Sequence, residues 1–325
     1  MSFKIKPILI VAGEPNSVFM ELFFKAIKTK KFSNPLILIA SYKLIQLQMR
    51  KLKFNKNIRL LDFKNIKNIH LNNKSINLID VNYSPKKAFE KISKKSNKYL
   101  TESFSIATQL LKNGITDKFI NGPVSKKNFL GKKYPGITEY LSKKFKSDKN
   151  AMLIYNPKLS VCPLTTHLPI KIVTKKINHK LIYDKVVLIN NFYKKNFYFR
   201  PRIGVLGLNP HCESILKINE DEKVIKPAVK KIKKLGIKIS GPYSADTIFM
   251  RKNRIKFDVI IGMYHDQVLT PIKTIFEYDA INITLGLPFI RISPDHGPNE
   301  KMMGKNISNP LSLIKAISFL DKKID

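Results

Sequence analysis

Residues 260–291 read IIGMYHDQVLTPIKTIFEYDAINITLGLPFIR. The apolar run Phe257–Ile261 ends at Gly262 and releases Tyr264, His265, Asp266 and Gln267. Lys273, Asn282 and Arg291 follow within the same stretch. A buried strand that stops at glycine and sets down polar residues is how an α/β fold builds a site, because its chemistry sits at the carboxyl ends of parallel strands. Two more histidines stand in that setting. His167 follows Leu164-Thr165-Thr166, and His211 follows Leu206-Gly207-Leu208-Asn209-Pro210. Neutral imidazole binds zinc and other first-row divalent ions, and three protein ligands leave positions open for catalysis. Three strand ends that each deliver one histidine therefore point to a metal site on His167, His211 and His265. Against this stands the blander possibility that each is an isolated polar loop residue.

Outward from this stretch, strands and helices alternate along the chain. Buried strands are expected at Pro7–Ala12, Pro35–Ala40, Asp117–Ile120 and Arg202–Leu206, with short pieces at Ile58–Leu61 and Ile76–Ile79. Met152–Tyr155 and Leu159–Leu164 read as a hairpin, and Ile237–Ser240 as a further strand. Helical spacing of apolar residues covers Val18–Lys28, Tyr42–Lys51, Pro85–Asn113, Asn178–Lys194, Asp221–Leu235, Ala245–Met250 and Pro310–Lys322. Thr138 is a candidate N-cap for another helix, and Gly114 a candidate C-cap. The alternation predicts the α/β class with a mostly parallel sheet. With no Gly/Ser linker and no internal repeat, two lobes are expected. The first is 1–127 with 270–325 on the cofactor side, and the second is 128–269 on the metal side.

The chain has 325 residues, of which 43% are apolar, enough for a large core. Lysine and arginine number 60 against 23 acidic residues, a net charge of +37. A polyanion partner would explain that excess and would bind with a steep salt dependence. The lysines run along the whole chain, form no single stripe and accompany no nucleic-acid-binding motif. No nucleic acid is therefore expected, and the positive field is expected to favour phosphorylated small molecules. Two cysteines, Cys162 and Cys212, without a CxxC spacing, argue against a disulfide scaffold and for a reducing compartment. The first apolar run reads as a strand rather than a signal segment, and no stretch approaches a membrane span. A cytoplasmic protein is expected.

Arg291 ends the run Leu287-Pro288-Phe289-Ile290, so its charge is expected to meet an anion, with a surface salt bridge as the rival reading. Lys273 is a second candidate anion contact. Asp246 and Asp266 are candidates to orient a histidine or to move protons. His70 and His179 read as surface residues. His296, in Asp295-His296-Gly297, is a candidate cofactor contact. No GxGxxG or GxxxxGK(S/T) occurs, which removes motif support for a Rossmann or P-loop nucleotide site.

Read together, GEP at Gly13, NGPVSK at Asn121, TTHLP at Thr165, GLNPH at Gly207, ADT at Ala245, MYHDQ at Met263 and NITLGLPFIR…DHG from Asn282 to Gly297 resemble the 4-hydroxythreonine-4-phosphate dehydrogenase family of vitamin B6 biosynthesis. The resemblance implies a two-lobed α/β/α fold like the isocitrate and isopropylmalate dehydrogenases, with the active site in a cleft at the dimer interface. It implies NAD (or NADP) and a divalent metal (zinc, magnesium or cobalt) held by His167, His211 and His265 and shared between the subunits of a homodimer. Substrate contacts carry over to Thr138, Lys273, Asn282 and Arg291, and cofactor contacts to Asp295, His296 and Gly297. The implied reaction is oxidative decarboxylation of 4-phosphooxy-L-threonine to 3-amino-2-oxopropyl phosphate, with Lys273, Asp246 or Asp266 managing protons. The family usually has histidine before the threonine of a GHTE motif, where this chain has Ile137. It usually reads GEPAGIGPE where this chain reads GEPNSVFME, and Cys212 after GLNPH is either a small residue in the family's alanine position or an extra soft donor beside His211. The Ile137 departure motivates the alternative of a related dehydrogenase on a different phosphorylated or carboxylated hydroxy acid. A three-histidine metallohydrolase, needing neither NAD nor the DHG loop, is a further option.

Overall fold

The computed structural model describes residues 5–131, 134, 136–214, 219–294 and 297–321. They divide into two compact units, Met1–Lys146 with Pro288–Asp325, and Ser147–Leu287. In chain order the first unit contributes β1 (Ile8–Val11), α1 (Phe19–Thr29), β2 (Leu36–Ala40), α2 (Tyr42–Lys51), β3 (Ile58–Leu60), β4 (Ile76–Asp80), α3 (Ser96–Lys112), β5 (Lys118–Asn121) and α4 (Ile137–Lys144). The second unit follows with β6 (Ala151–Tyr155), β7 (Ser160–Pro163), α5 (Ile170–Lys176), α6 (His179–Phe197), β8 (Ile203–Leu206), α7 (Lys226–Lys234) and β9 (Ile239–Tyr243). It continues through α8 (Ala245–Ile248), α9 (Arg251–Arg254), β10 (Val259–Gly262), α10 (His265–Phe276) and β11 (Ile281–Leu285). The chain then returns to the first unit with β12 (Ile290–Ser293) and α11 (Leu311–Asp321).

Within the first unit the strand order is β3-β4-β2-β1-β5-β12, and every pairing is parallel. All four residues of β1 are fully buried, so both faces of this strand are covered. α3 and α11 both pack on it. Continuous burial of Ile-Leu-Ile-Val without alternation is the mark of a central parallel strand. Within the second unit the order is β11-β6-β7-β10-β8-β9. β6 runs antiparallel to both β11 and β7, and β7, β10, β8 and β9 are parallel. The α/β class and the hairpin at Asn156-Pro157 are as expected.

The unit boundaries fall later than the expected 127/128 and 269/270. Aromatic packing explains the first shift: the rings of Phe104 on α3, Phe129 and Tyr140 on α4 lie 5.8–5.9 Å apart, which ties the chain through α4 to the first unit. Strand pairing explains the second, since β11 registers with β6 from Ile281↔Tyr155 to Leu285↔Ala151.

Three helices also begin differently from their periodicity. α3 starts at Ser96, not at Pro85. Side chains divert the backbone of the preceding stretch, with the Lys86 and Lys87 amides donating to Glu90 and the Glu90 amide to Asn16 Oδ1. α4 starts at Ile137 with Gly136 at its cap, and Thr138 makes no capping bond. Residues 221–225 form a π turn ahead of α7. Gly114 does end α3, at φ 68°.

Gly13 turns the chain after β1 at φ 77°, where a Cβ would collide with the Pro123 carbonyl of the neighbouring strand end. Gly13→Ala is expected to cost about 1–3 kcal/mol or more, from left-handed strain and overpacking together. Urea unfolding of parent and variant checks this; a loss below about 0.5 kcal/mol would show that the turn is not constrained.

Candidate functional site

Three adjacent parallel strands of the second unit, β7, β10 and β8, each lead within a few residues to one of the singled-out histidines. Pro163 on β7 registers with Gly262 on β10, so these two strand ends stand level. Loop bonds then bind them. The Leu164 amide donates to the Gly262 carbonyl (2.7 Å), and Thr165 Oγ1 donates to the Met263 carbonyl (2.8 Å). His167 and His265 are thereby brought together, with ring centroids 5.8 Å apart. His265 is the first residue of α10, and its Nδ1 donates to Asp266 Oδ1 at 2.6 Å. That bond orients the ring and leaves Nε2 as the available lone pair. The Asp266 carboxylate is thereby engaged with His265.

Gln267 ties β10 to the third strand end. It accepts from the Met263 amide (2.6 Å) and donates to the Gly207 carbonyl (2.8 Å). The Gly207–Cys212 loop is held by Asp221, fully buried, which accepts from the Leu208 and Asn209 amides and from Asn209 Nδ2. A Cβ on Gly207 would press on Asp221 Oδ1 and Cys212 Sγ at 2.8 and 2.7 Å. His211 and Cys212 both take left-handed backbone, at φ 56° and 62°, a local strain that the Asp221 bonds hold in place. Among the described residues no three His, Cys, Asp or Glu side chains gather within reach of one ion. What the structure brings together is His167 with His265, while His211 stands at the end of the next strand. The donor set, imidazoles with one Nδ1 already engaged, fits a divalent first-row ion.

Lys273 lies two turns along α10, half-buried, and burial lowers its amine below the usual lysine value. Asn282 lies on β11 with Oδ1 buried and, among the described residues, without a hydrogen-bond partner. Asp246, in the first turn of α8, is exposed, as are His70 and His179.

In the first unit, Arg291 on β12 is 1% exposed, which removes the surface-salt-bridge reading. Its Nε donates to Asn121 Oδ1 (2.7 Å) and its Nη1 to Thr138 Oγ1 (3.0 Å). Burial lowers the guanidinium to about 10, partly offset by the nearby Glu139 carboxylate. Ile137 opens α4 directly before Thr138. Of the expected cofactor contacts, Asp295 and His296 lie outside the described residues. At Gly297 a Cβ would meet nothing within 4 Å.

A family model described as pyridoxal phosphate biosynthetic protein PdxA matches residues 31–320. The chain belongs to the PdxA family. The 4-hydroxythreonine-4-phosphate dehydrogenase of Sulfurihydrogenibium sp. is 38% identical over 318 residues, 95% of either chain. A protein from Oceanobacillus iheyensis, provisionally named a D-threonate 4-phosphate dehydrogenase, is 30% identical over 96% of either chain. Among solved structures, a 4-hydroxythreonine-4-phosphate dehydrogenase from Klebsiella pneumoniae matches with a TM-score of 0.84 at 27% identity, covering 99% of this chain and 98% of that one. A β-decarboxylating dehydrogenase from Thermococcus kodakarensis matches with a TM-score of 0.52 at 10% identity, covering 97% and 82%. That last likeness concerns the fold alone, and it agrees with the expected isocitrate/isopropylmalate dehydrogenase-like architecture. PdxA membership makes the chain an oxidoreductase of pyridoxal phosphate biosynthesis. Among the described residues no helix is long and apolar enough to cross a membrane.

Sequence reasoning assigned no role to Asp221, Gln267 or Glu14. Gln267 and Glu14 lie inside the quoted motifs MYHDQ and GEP, whereas Asp221 lay in a stretch read only as helix, and all three roles appear once distant segments meet. Glu14, 1% exposed, accepts from Ser96 Oγ (2.6 Å), and its backbone amide donates to the Pro123 carbonyl (2.7 Å), just beyond the Asn121 that holds Arg291. Burial raises its carboxyl above the ordinary value. The fold therefore favours the protonated form. That contribution is complete below the unfolded carboxyl value and is lost as pH rises through the folded one. Glu14→Gln should accordingly gain in stability relative to the parent between pH 4 and pH 8. Urea unfolding at both pH values measures the gap, and an unchanged gap would sink the idea.

Proposed function

We propose that this PdxA-family enzyme catalyses the NAD-dependent, metal-dependent oxidative decarboxylation of 4-phosphooxy-L-threonine to 3-amino-2-oxopropyl phosphate. The observation that carries the reading is the His167–His265 pair at adjacent strand ends, with His265 fixed by Asp266. When bound, a divalent ion on His167, His211 and His265 would supply Lewis-acid polarisation of the reacting oxygen, and a nicotinamide would supply the hydride acceptor. Zinc, magnesium and cobalt all suit that role, and NADP is the alternative cofactor. Asp295, His296 and Gly297 belong to the cofactor side of the proposal.

The chain's own residues have separable tasks. Arg291 and Thr138 bind an anionic group of the substrate. Arg291 is desolvated and already oriented by Asn121, so little reorganisation opposes binding. Asn282 presents a buried amide oxygen that a substrate hydroxyl or ammonium would satisfy. Lys273 is the proton carrier of choice over Asp246 and Asp266. Its amine is easier to deprotonate than an ordinary lysine, whereas Asp246 is exposed and Asp266 is engaged with His265. As a base Lys273 takes the hydroxyl proton during hydride loss, and as an acid it returns one to carbon after carbon dioxide leaves. The same proposal includes a cytoplasmic homodimer whose metal site is shared between subunits.

The decisive assay follows NADH on mixing protein, 4-phosphooxy-L-threonine, NAD and a divalent metal, with and without chelator. Chelator-sensitive NADH is expected. His265→Ala should abolish turnover with the fold intact, and Lys273→Met should lower kcat by about 10²–10⁴. The acid limb of the kcat/KM profile should lie below the usual lysine value. Undiminished activity in metal-depleted enzyme would remove the metal role.

A second reading is favoured by Ile137 and by the Oceanobacillus relative: oxidation of a different phosphorylated hydroxy acid, such as D-threonate 4-phosphate. An isoleucine cannot donate the hydrogen bond of the family's histidine. Under the first reading Ile137→His should raise kcat/KM on 4-phosphooxy-L-threonine at least as much as on D-threonate 4-phosphate. A parent enzyme that prefers the latter by tenfold or more would establish the second reading.

A further inference from the structure

Residues 297–310 form an irregular segment. It contains a single 3-10 turn, Glu300–Met302, and left-handed backbone at Asn299, Gly304 and Asn306. Such a stretch cannot hold its own shape through a repeating backbone ladder, so its conformation depends on anchors from outside. Those anchors come from α1 and the residue before it. Val18, just ahead of the helix, donates its amide to the Pro298 carbonyl (3.1 Å). One turn into α1, Glu21 is 1% exposed, and its Oε1 accepts from the Ser308 amide (2.7 Å). Lys25, four residues on and therefore on the same helix face, donates from Nζ to Glu21 Oε1 (3.0 Å), the Asn306 carbonyl (2.9 Å) and the Ser308 carbonyl (2.9 Å). An ammonium has three protons, and here each has an acceptor. Between the two anchors, Gly304 lies against the ring of Phe89, where a Cβ would approach within 2.9 Å.

Glu21 is fully buried and Lys25 partly so, and such a pair is a poor device for stability, because the desolvation of the carboxylate cancels much of the attraction. It is a good device for fixing register, since two carbonyls and one amide of the irregular segment can meet these two side chains in only one arrangement. We propose that Glu21 and Lys25 are positioning residues, which clamp 297–310 in the shape that receives the dinucleotide. The inference rests on the proposed cofactor role of Asp295, His296 and Gly297, the last of which opens this segment.

The test uses full-length enzyme with Lys25→Met and with the double variant Glu21→Gln/Lys25→Met. The double variant leaves no uncompensated buried charge and so guards against simple misfolding of the single one. Hydrogen exchange over 297–310 reads the clamp, and calorimetric titration with NAD reads the binding. Both variants should exchange faster in this segment and bind NAD at least tenfold more weakly, with KM for the phosphorylated substrate and the metal content within twofold of the parent. Unchanged exchange would overturn the clamp. Faster exchange with unchanged NAD affinity would overturn the positioning role and the cofactor assignment of the segment, while NADH formation by the parent would still stand. An equal loss in NAD and substrate affinity would show general loosening and overturn the proposal. A parent that binds no NAD would overturn the cofactor reading itself, and the inference with it.

Discussion

The parallel pairing of β10 with β7 on one side and β8 on the other is the constraint on which the second unit depends. Val259, Ile260 and Ile261 are fully buried, each contributing roughly 1.5–3 kcal/mol by leaving water. The pairing register delivers the strand ends level, and a slip of one residue would turn every side chain to the opposite face. His167 and His265 meet because Pro163 and Gly262 are partners and because Thr165 bonds across to Met263. Gln267 repeats the device toward β8. The histidines themselves contribute little to this scaffold. They occupy positions that the apolar strands and three side-chain-to-backbone bonds have already set.

In the first unit the corresponding organisation uses buried polar groups at the strand ends. Gly13 and Gly122 allow the turns after β1 and β5 to touch, since a Cβ on either would collide with the other's backbone neighbourhood. Asn121 then faces Arg291, and Glu14 bonds to Ser96 behind the turn. Each buried charge here has a cost in desolvation that only specific bonds offset. The result is a buried guanidinium whose orientation is fixed by Asn121 and Thr138.

Much of this was legible in the chain. Unbroken Ile/Leu/Val runs ended by glycine marked the parallel strands, because a strand covered on both faces has no polar alternation to show. The histidines after three such runs fall, as expected, beyond the ends of three adjacent parallel strands. The place of Arg291 after Leu287-Pro288-Phe289-Ile290 left both an anion contact and a surface ion pair open, and its burial removes the second. Less was legible where side chains compete with the backbone. The apolar spacing from Pro85 onward looked helical, yet Glu90 and Asn16 capture its amides and delay the helix to Ser96. Thr138 looked like a helix cap and instead accepts from Arg291.

Strand identity, the α/β class and the family were therefore determined by sequence alone, because hydrophobic period and motif order are properties of neighbours along the chain. Tertiary structure alone decided which groups share a neighbourhood. Asp221 meets the Asn-Pro-His loop across 12 positions, Arg291 meets Asn121 across 170, and Lys25 meets Ser308 across 283. No periodicity encodes such separations. They are set by the strand order within each unit and by the burial that makes each of those polar groups find a partner.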